Sequence, residues 1–357
     1  MRDIWFEVNT TAFHNGNVSI NDILEEFTWD HHYLYHHPEN IFLIAIYLPV
    51  FLIALIANIF VIAVFIKYRS FRTVTNCFLL NLSCADLLVS LICMPAAVGQ
   101  AIHSAWLFGD FICKASHYMQ GVAVGASVFT LTAMSLDRYL AIRHPLKRKN
   151  FVTKKLTLKV IFFIWVISLS MFSPILYVRR TDGFRFLTHD FVFCLEEWSN
   201  SITQRLFGSV VFVVVYALPG IIMVVAYALM GCTLREVHLF PEMNDDTRQV
   251  QIYTLATINL MKERRKVART LMVLAIVFAF CWLPSSVLGL ILDYTAPSSS
   301  TKPGTSTSET SEYDLYIKLH RFLILLGHAN SSINPFLYCL TRNFRNLAKD
   351  WYHSVRR

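Results

Sequence analysis

Charged residues are scarce in this sequence. Asp, Glu, Lys and Arg make up only 16% of the 357 residues, whereas hydrophobic residues make up 55%. A water-soluble domain of this length normally carries more charge and less apolar surface. The sequence also contains no visible hydrolytic triad, metal-ligand cluster or phosphate-binding loop. These absences exclude a soluble globular class and predict a protein with no enzyme activity of its own.

Seven apolar runs of helical length follow one another along the chain. A helix crosses a bilayer core of ~30 Å with about 20 residues, and each run is long enough to do so. The runs are 41–66, 74–102, 113–140, 156–178, 206–229, 267–292 and 317–340. The pattern predicts an all-α membrane protein built as a seven-transmembrane helix bundle.

The distribution of basic residues predicts the topology. Most of the 32 Lys and Arg fall in the loops that alternate assignment places on one side, and the positive-inside rule makes that side cytosolic. We therefore expect a multi-pass plasma-membrane protein with its N-terminus outside and its C-terminus inside. The net charge of +8 is then a topology signal and does not indicate nucleic-acid binding.

Three regions follow from this topology. Residues 1–40 are expected to form a flexible extracellular tail, with N-glycosylation sites at Asn9 and Asn17. Residues 41–340 form the seven-span domain. Residues 341–357 contain a short amphipathic cytoplasmic helix, expected to lie on the inner leaflet, and the C-terminal tail.

Of eight cysteines, only Cys113 and Cys194 are placed on the oxidising outer side, so we expect them to form a disulfide. This bond would hold the loop 179–200 across the top of the third span, as a lid over any pocket that the helices enclose.

Polar residues are few within the spans. Each is costly against lipid, so we expect them to face inward and to meet one another. They are Asn58, Asn81, Asp86, Gln120, Ser127, His328, Asn330, Ser331 and Asn334. Six prolines in the spans are expected to open the helices and to allow bending.

Together these residues resemble the rhodopsin-like (class A) G-protein-coupled receptors, and the resemblance covers all seven spans. The matching residues are Asn58, Leu82, Asp86, Cys113, Asp137-Arg138-Tyr139, Trp165, Pro219, Tyr227, Phe278, Cys281-Trp282-Leu283-Pro284 and Asn334-Pro335-Phe336-Leu337-Tyr338.

The resemblance implies residues for activation and G-protein coupling. Arg138 is expected to leave Asp137 and to contact a G protein and Tyr227 when the sixth span swings outward about Pro284. The implied set is Asp137, Arg138, Tyr139, Leu146, Tyr227, Phe278, Trp282, Pro284, Asn334, Pro335 and Tyr338. Arg264 departs from the pattern, because some relatives have an acid there.

The resemblance also implies an allosteric sodium site at Asp86, Ser127, Asn330 and Ser331, since a hard cation suits an all-oxygen set of ligands. An internal water network around a protonated aspartate is the alternative. No other metal or cofactor is expected.

The ligand is expected to be an extracellular, amidated neuropeptide. Gln120 stands where amine receptors have an aspartate, and a glutamine there resembles receptors of the orexin, neuropeptide FF and neuropeptide Y groups. The predicted ligand residues are Gln120, Glu196, Glu197, Trp282, Asp293 and His320. Glu196 and Glu197 are equally well explained as solvated rim charges.

The resemblance implies a heterotrimeric G protein, an arrestin, a receptor kinase and membrane lipids as partners. Two alternatives stay open. A class A receptor for a lipid or other non-peptide ligand would fit the fold, although Gln120 and the acidic rim argue against it. A seven-helix transporter or channel would need inverted repeats or a line of ionisable groups, and Asp86 is nearly alone.

Overall fold

The computed structural model describes residues 38–69, 72–103, 105–145, 148, 152–186, 189–236, 248–295 and 307–338. The first span is Pro38–Lys67, and the second comprises Val74–Leu88, the π-helical turn Val89–Cys93 and Met94–Ile102. The third is Gly109–Arg143, and the fourth comprises Lys154–Phe172 and Ile175–Val178. The fifth comprises Ser201–Val211, the π-helical turn Phe212–Ala217 and Leu218–Glu236. The sixth is Arg248–Thr295, and the seventh is Thr307–Tyr338.

Over the described residues, all seven predicted spans are therefore helical apart from the break beside Pro174, and the predicted bundle is confirmed. Among the described residues, six helices are long and apolar enough to cross a membrane by length and composition. The helix Thr307–Tyr338 is not among the six, because the side chains that give this span its polar, inward face also lower its hydropathy. These side chains include His328, Asn330, Ser331 and Asn334, and all four are buried.

Prolines mark the places where the helices depart from regular geometry. The two π-helical turns end just before Pro95 and Pro219, and the fourth span is broken beside Pro174. Proline lacks the N–H donor, and its ring clashes with the carbonyl four residues earlier, so a wider turn relieves the clash. Pro284 and Pro335 lie inside continuous helices instead.

The lid is a β-hairpin, which the sequence analysis did not predict. Strand β1, Arg179–Phe186, pairs antiparallel with β2, His189–Glu196. The predicted disulfide between Cys113 and Cys194 is present, with the two Cα atoms 5.6 Å apart. It fastens β2 to the outer end of the third span.

Buried polar side chains join the spans across the core. Asn81 donates to Thr130 at 2.8 Å, and the Trp165 indole donates to Asn81 at 2.8 Å, which connects spans two, three and four. Many large apolar side chains point outward, as expected for a surface that faces lipid. They include Leu48, Ile56, Phe162, Ile221, Val224 and Phe280.

Candidate functional site

A cavity of about 300 Å³ lies between spans three, five, six and seven and the hairpin, and we call it the outer cavity. It brings together five of the six predicted ligand residues. These are Gln120, Glu196, Trp282, Asp293 and His320.

Asp293 reaches this cavity from the outer end of the sixth span. Its Oδ1 accepts a hydrogen bond of 2.9 Å from the side-chain amide of Gln204 in span five. Gly208, one turn further along span five, makes room for the carboxylate, because a Cβ there would overlap Asp293 Oδ2. The acid is therefore held in place by a neutral partner, which leaves its charge available to a cation.

Gln120 lies deeper, in the third span, and is partly buried. Within the described part of the chain, no hydrogen-bond partner is found for its side chain. An amide can both donate and accept hydrogen bonds, so this group can recognise another amide. His117, one turn above, is engaged locally, since its Nδ1 lies 2.9 Å from the Cys113 carbonyl oxygen.

Glu196 and Glu197, the two predicted ligand residues of the lid, have different surroundings. Glu196 lines the outer cavity but forms an ion pair with Arg179 across the hairpin. Glu197 pairs with Arg180, is not among the residues that line the cavity, and remains a rim charge. Each of these two acids therefore already has a cation, whereas the part of the chain that the structure describes contains no ion-pair partner for Asp293.

Trp282 lines the outer cavity and packs tightly against the seventh span. A Cβ at Gly327 would lie only 2.8 Å from Trp282 Cε3, so glycine is what permits this close approach. His328 follows, with its ring 6.0 Å from that of Trp282 and its Nδ1 3.0 Å from the Tyr47 hydroxyl. Movement of Trp282 is thereby linked to spans one and seven.

Below Trp282, the polar residues of the predicted sodium site are all buried. Asn334 donates to Asp86 at 3.0 Å, and Ser331 also hydrogen-bonds this carboxylate. Asn330 Oδ1 is buried with no hydrogen-bond partner. It lies one turn outward from Asn334 on the same helix face. A buried carboxylate, a serine hydroxyl bonded to it and an unsatisfied carbonyl oxygen on the same helix as that serine are oxygen ligands of the kind that suits a hard cation.

At the inner end, Arg138 is held by two neighbours. Its Nε donates to Asp137 at 3.1 Å, and its Nη2 donates to Thr75 at 2.8 Å. Arg148 also donates to Asp137, at 2.9 Å. Arg264, at the position where some relatives have an acid, donates to the Ala141 carbonyl at 2.7 Å instead. The arrangement keeps Arg138 buried and turned toward Asp137.

Three further predicted activation residues lie in the packed core below the outer cavity. Tyr227 packs beside Ile142 and Ala268, whereas Tyr338 is fully buried in the main core together with Phe278. Leu146, Asn9, Asn17 and the amphipathic helix lie outside the described residues.

Sequence reasoning missed several contributors to the site. Gln204 and Gly208 carry no signal that would identify them, because their importance depends on how spans five and six pack. Arg148 was visible only as one of several loop cations. Arg179 follows a span directly, and its pairing with Glu196 depends on the hairpin register.

Comparisons with known proteins agree with this geometry. The family model of the 7 transmembrane receptor (rhodopsin family) matches residues 57–338. Neuropeptide FF receptor 2 of Mus musculus is 31% identical over 333 residues, which cover 90% of this chain and 75% of that receptor. The pyroglutamylated RF-amide peptide receptor of Rattus norvegicus is 28% identical over 304 residues, which cover 83% of this chain and 66% of that receptor.

These matches lend no support to a transporter or channel, and the family is one of receptors rather than enzymes. The motifs, the seven helices, the lid disulfide and the family match lead to one conclusion: this chain belongs to the rhodopsin family of seven-transmembrane, G-protein-coupled receptors.

Proposed function

We propose that this receptor is activated by an extracellular neuropeptide that ends in a basic residue followed by an amidated aromatic residue. The names of its relatives specify neuropeptide FF and RF-amide peptides, and RF-amide denotes Arg-Phe-amide. The observation that carries the proposal is that one cavity is lined by both an acid without an ion pair, Asp293, and an amide without a hydrogen-bond partner, Gln120, among the described residues.

The chemistry of the cavity fits such a peptide end. A guanidinium forms strong, fork-shaped hydrogen bonds with a carboxylate, so the peptide arginine is assigned to Asp293. The terminal carboxamide is assigned to Gln120, which can donate to and accept from it. The aromatic side chain is then directed toward Trp282. His320 borders the same space.

Activation follows from the packing beneath the ligand. Pressure on Trp282 shifts the sixth span about Pro284, which widens the inner end and releases Arg138 from Asp137. Arg138 then meets the G protein, while Tyr227 and Tyr338 close around it.

We further propose that Asp86, Ser127, Asn330 and Ser331 hold a sodium ion in the resting receptor. The buried, unsatisfied Asn330 oxygen supports this assignment. The ion would favour the inactive packing, so agonist affinity should fall as sodium rises.

The remaining assignments complete this picture of a plasma-membrane receptor. We propose an outside N-terminus glycosylated at Asn9 and Asn17, and an inner-leaflet helix within 341–357. We also propose an arrestin, a receptor kinase and membrane lipids as partners.

The function is tested with a panel of neuropeptides in cells that express the receptor, using calcium and cyclic AMP readouts. Peptides ending in Arg-Phe-amide should activate, and the same peptides with a free C-terminal carboxylate should be about tenfold or more weaker. In Gln120→Ala, with normal surface expression, the preference for the amide should largely disappear. An unchanged preference would remove Gln120 from the ligand site, and a silent panel would remove the peptide assignment.

A further inference from the structure

A second cavity of about 300 Å³ lies between spans one, two, three and seven, and we call it the side cavity. It shares a wall with the outer cavity, formed by His117, Gln120, Arg179 and His320 together with Ile324. A ligand that reaches Gln120 is therefore at the entrance to the side cavity as well.

The two cavities differ in charge. The outer cavity has two carboxylates in its lining, Glu196 and Asp293. None of the described residues that line the side cavity is acidic, and two of them are arginines, Arg179 and Arg321. A cation would thus be favoured in the outer cavity and an anion in the side cavity.

Arg321 is the distinctive residue of the side cavity. Its side chain is partly buried, and among the described residues it has no ion-pair or hydrogen-bond partner. Two other cations of the outer end are both engaged, since Arg179 pairs with Glu196 and Lys318 pairs with Glu39 at 3.1 Å. A partly desolvated guanidinium without a counter-charge is costly, and a carboxylate that enters the cavity would relieve that cost.

The rest of the lining suits a short apolar body behind that carboxylate. Leu43, Ala96, Ala97 and Ala101 supply an apolar wall from spans one and two. Small side chains there leave the space open, and the cavity of about 300 Å³ can admit a carboxylate side chain.

We infer that the side cavity is an anion-binding subsite, in which Arg321 receives a carboxylate side chain of the peptide ligand. The inference rests on the proposed function, because the peptide must place its amidated end at Gln120. It predicts that the preferred ligand is bipolar, with a basic residue at Asp293 and an acidic residue at Arg321.

Matched peptide pairs test this inference. We use peptides that end in Arg-Phe-amide and carry either Glu or Gln at one position upstream, and we scan that position. At one position the Glu peptide should be about tenfold more potent than its Gln partner. Arg321→Gln should abolish this preference, Arg321→Lys should keep part of it, and the control Lys318→Gln should leave it intact. When the peptides activate the receptor, a preference that survives Arg321→Gln, or no preference at any scanned position, overturns the inference.

A second measurement does not depend on peptide agonism. The melting temperature of the purified receptor is followed with 3-phenylpropionate and with its neutral amide as probes. The carboxylate should raise the melting temperature of the parent and of Lys318→Gln, but not of Arg321→Gln. The inference is overturned by a rise that persists in Arg321→Gln or by no rise in the parent. A silent peptide panel with a carboxylate-specific rise would contradict only the proposed function.

Discussion

The two ends of the bundle treat charge in opposite ways. At the outer end, Glu196 and Glu197 each pair with an arginine of the lid, and Asp293 is held by a neutral amide. At the inner end, Arg138 and Arg148 share the single carboxylate of Asp137, and Arg264 bonds to a backbone carbonyl. Among the described residues, an acid without an ion pair, Asp293, lies at the outer end, whereas two arginines share one acid at the inner end.

This difference indicates how each end is used. An acid without an ion pair in a cavity suits ligand recognition, because it forms a strong electrostatic interaction only when a cationic ligand binds. A shared acid suits a switch. Arg138 and Arg148 both bond to the carboxylate of Asp137, so a change in geometry that weakens one ion pair strengthens the other. The following substitutions test that division.

The largest effect is expected from removing the available acid. Asp293→Asn keeps the shape and the hydrogen bond from Gln204 but removes the charge, so peptides ending in Arg-Phe-amide should lose about 100-fold in potency. Potency is measured by calcium release at matched surface expression. Glu197→Gln is the control, because that acid is already paired on the rim, and it should change potency less than about threefold. Equal losses of potency in both variants would mean that Asp293 contributes no more to ligand binding than the paired acid Glu197.

The next effect tests whether the position of the acid matters as well as its charge. Gly208→Ala adds a methyl group that overlaps Asp293 Oδ2, so the carboxylate must turn away and potency should fall about tenfold. Gly220→Ala lies on the same span with no heavy atom near the added methyl group, and it should leave potency unchanged. If both variants have the potency of the parent, the Asp293 carboxylate can bind the ligand in more than one orientation.

Sequence reasoning succeeded where hydropathy and topology decide the outcome. The seven spans and the Cys113–Cys194 bond follow from apolar run length and from the side of the membrane that each cysteine faces. The inward orientation of Asp86 and Asn334 follows from the cost of polar groups in lipid.

What could not be predicted depends on the packing of neighbouring elements. The space at Gly208, the pairing of Arg148 with Asp137 and the register of the hairpin all involve residues far apart in the chain. A local pattern contains no information on those distances. The lid was predicted as a loop, because its strands are stabilised by cross-strand pairs such as Arg179 with Glu196 rather than by an apolar alternation.

A smaller effect is expected midway between the two ends. Asp86→Asn removes the charge that would hold sodium, so agonist affinity should become insensitive to sodium, whereas in the parent sodium should lower it about fivefold. Radiolabelled peptide binding in sodium chloride against N-methylglucamine chloride measures this. Asn334 can still donate a hydrogen bond to the amide oxygen that replaces the carboxylate, so the local packing should be kept. If the parent itself shows no sodium effect, the sodium assignment is wrong.

The smallest effect is expected at the inner end, where the direction of the change is the informative result. Arg148→Gln removes the competitor for Asp137, so Arg138 should be held more firmly. The positive charge of Arg148 also acts on Arg264, and its loss lets the sixth span lie closer to the third. Basal signalling, measured without ligand at matched surface expression, should therefore fall about twofold.

The control is Arg180→Gln, which removes the same charge from the outer rim and should leave basal signalling unchanged. A rise in Arg148→Gln would show that Arg148 helps to hold the resting state instead of competing with Arg138.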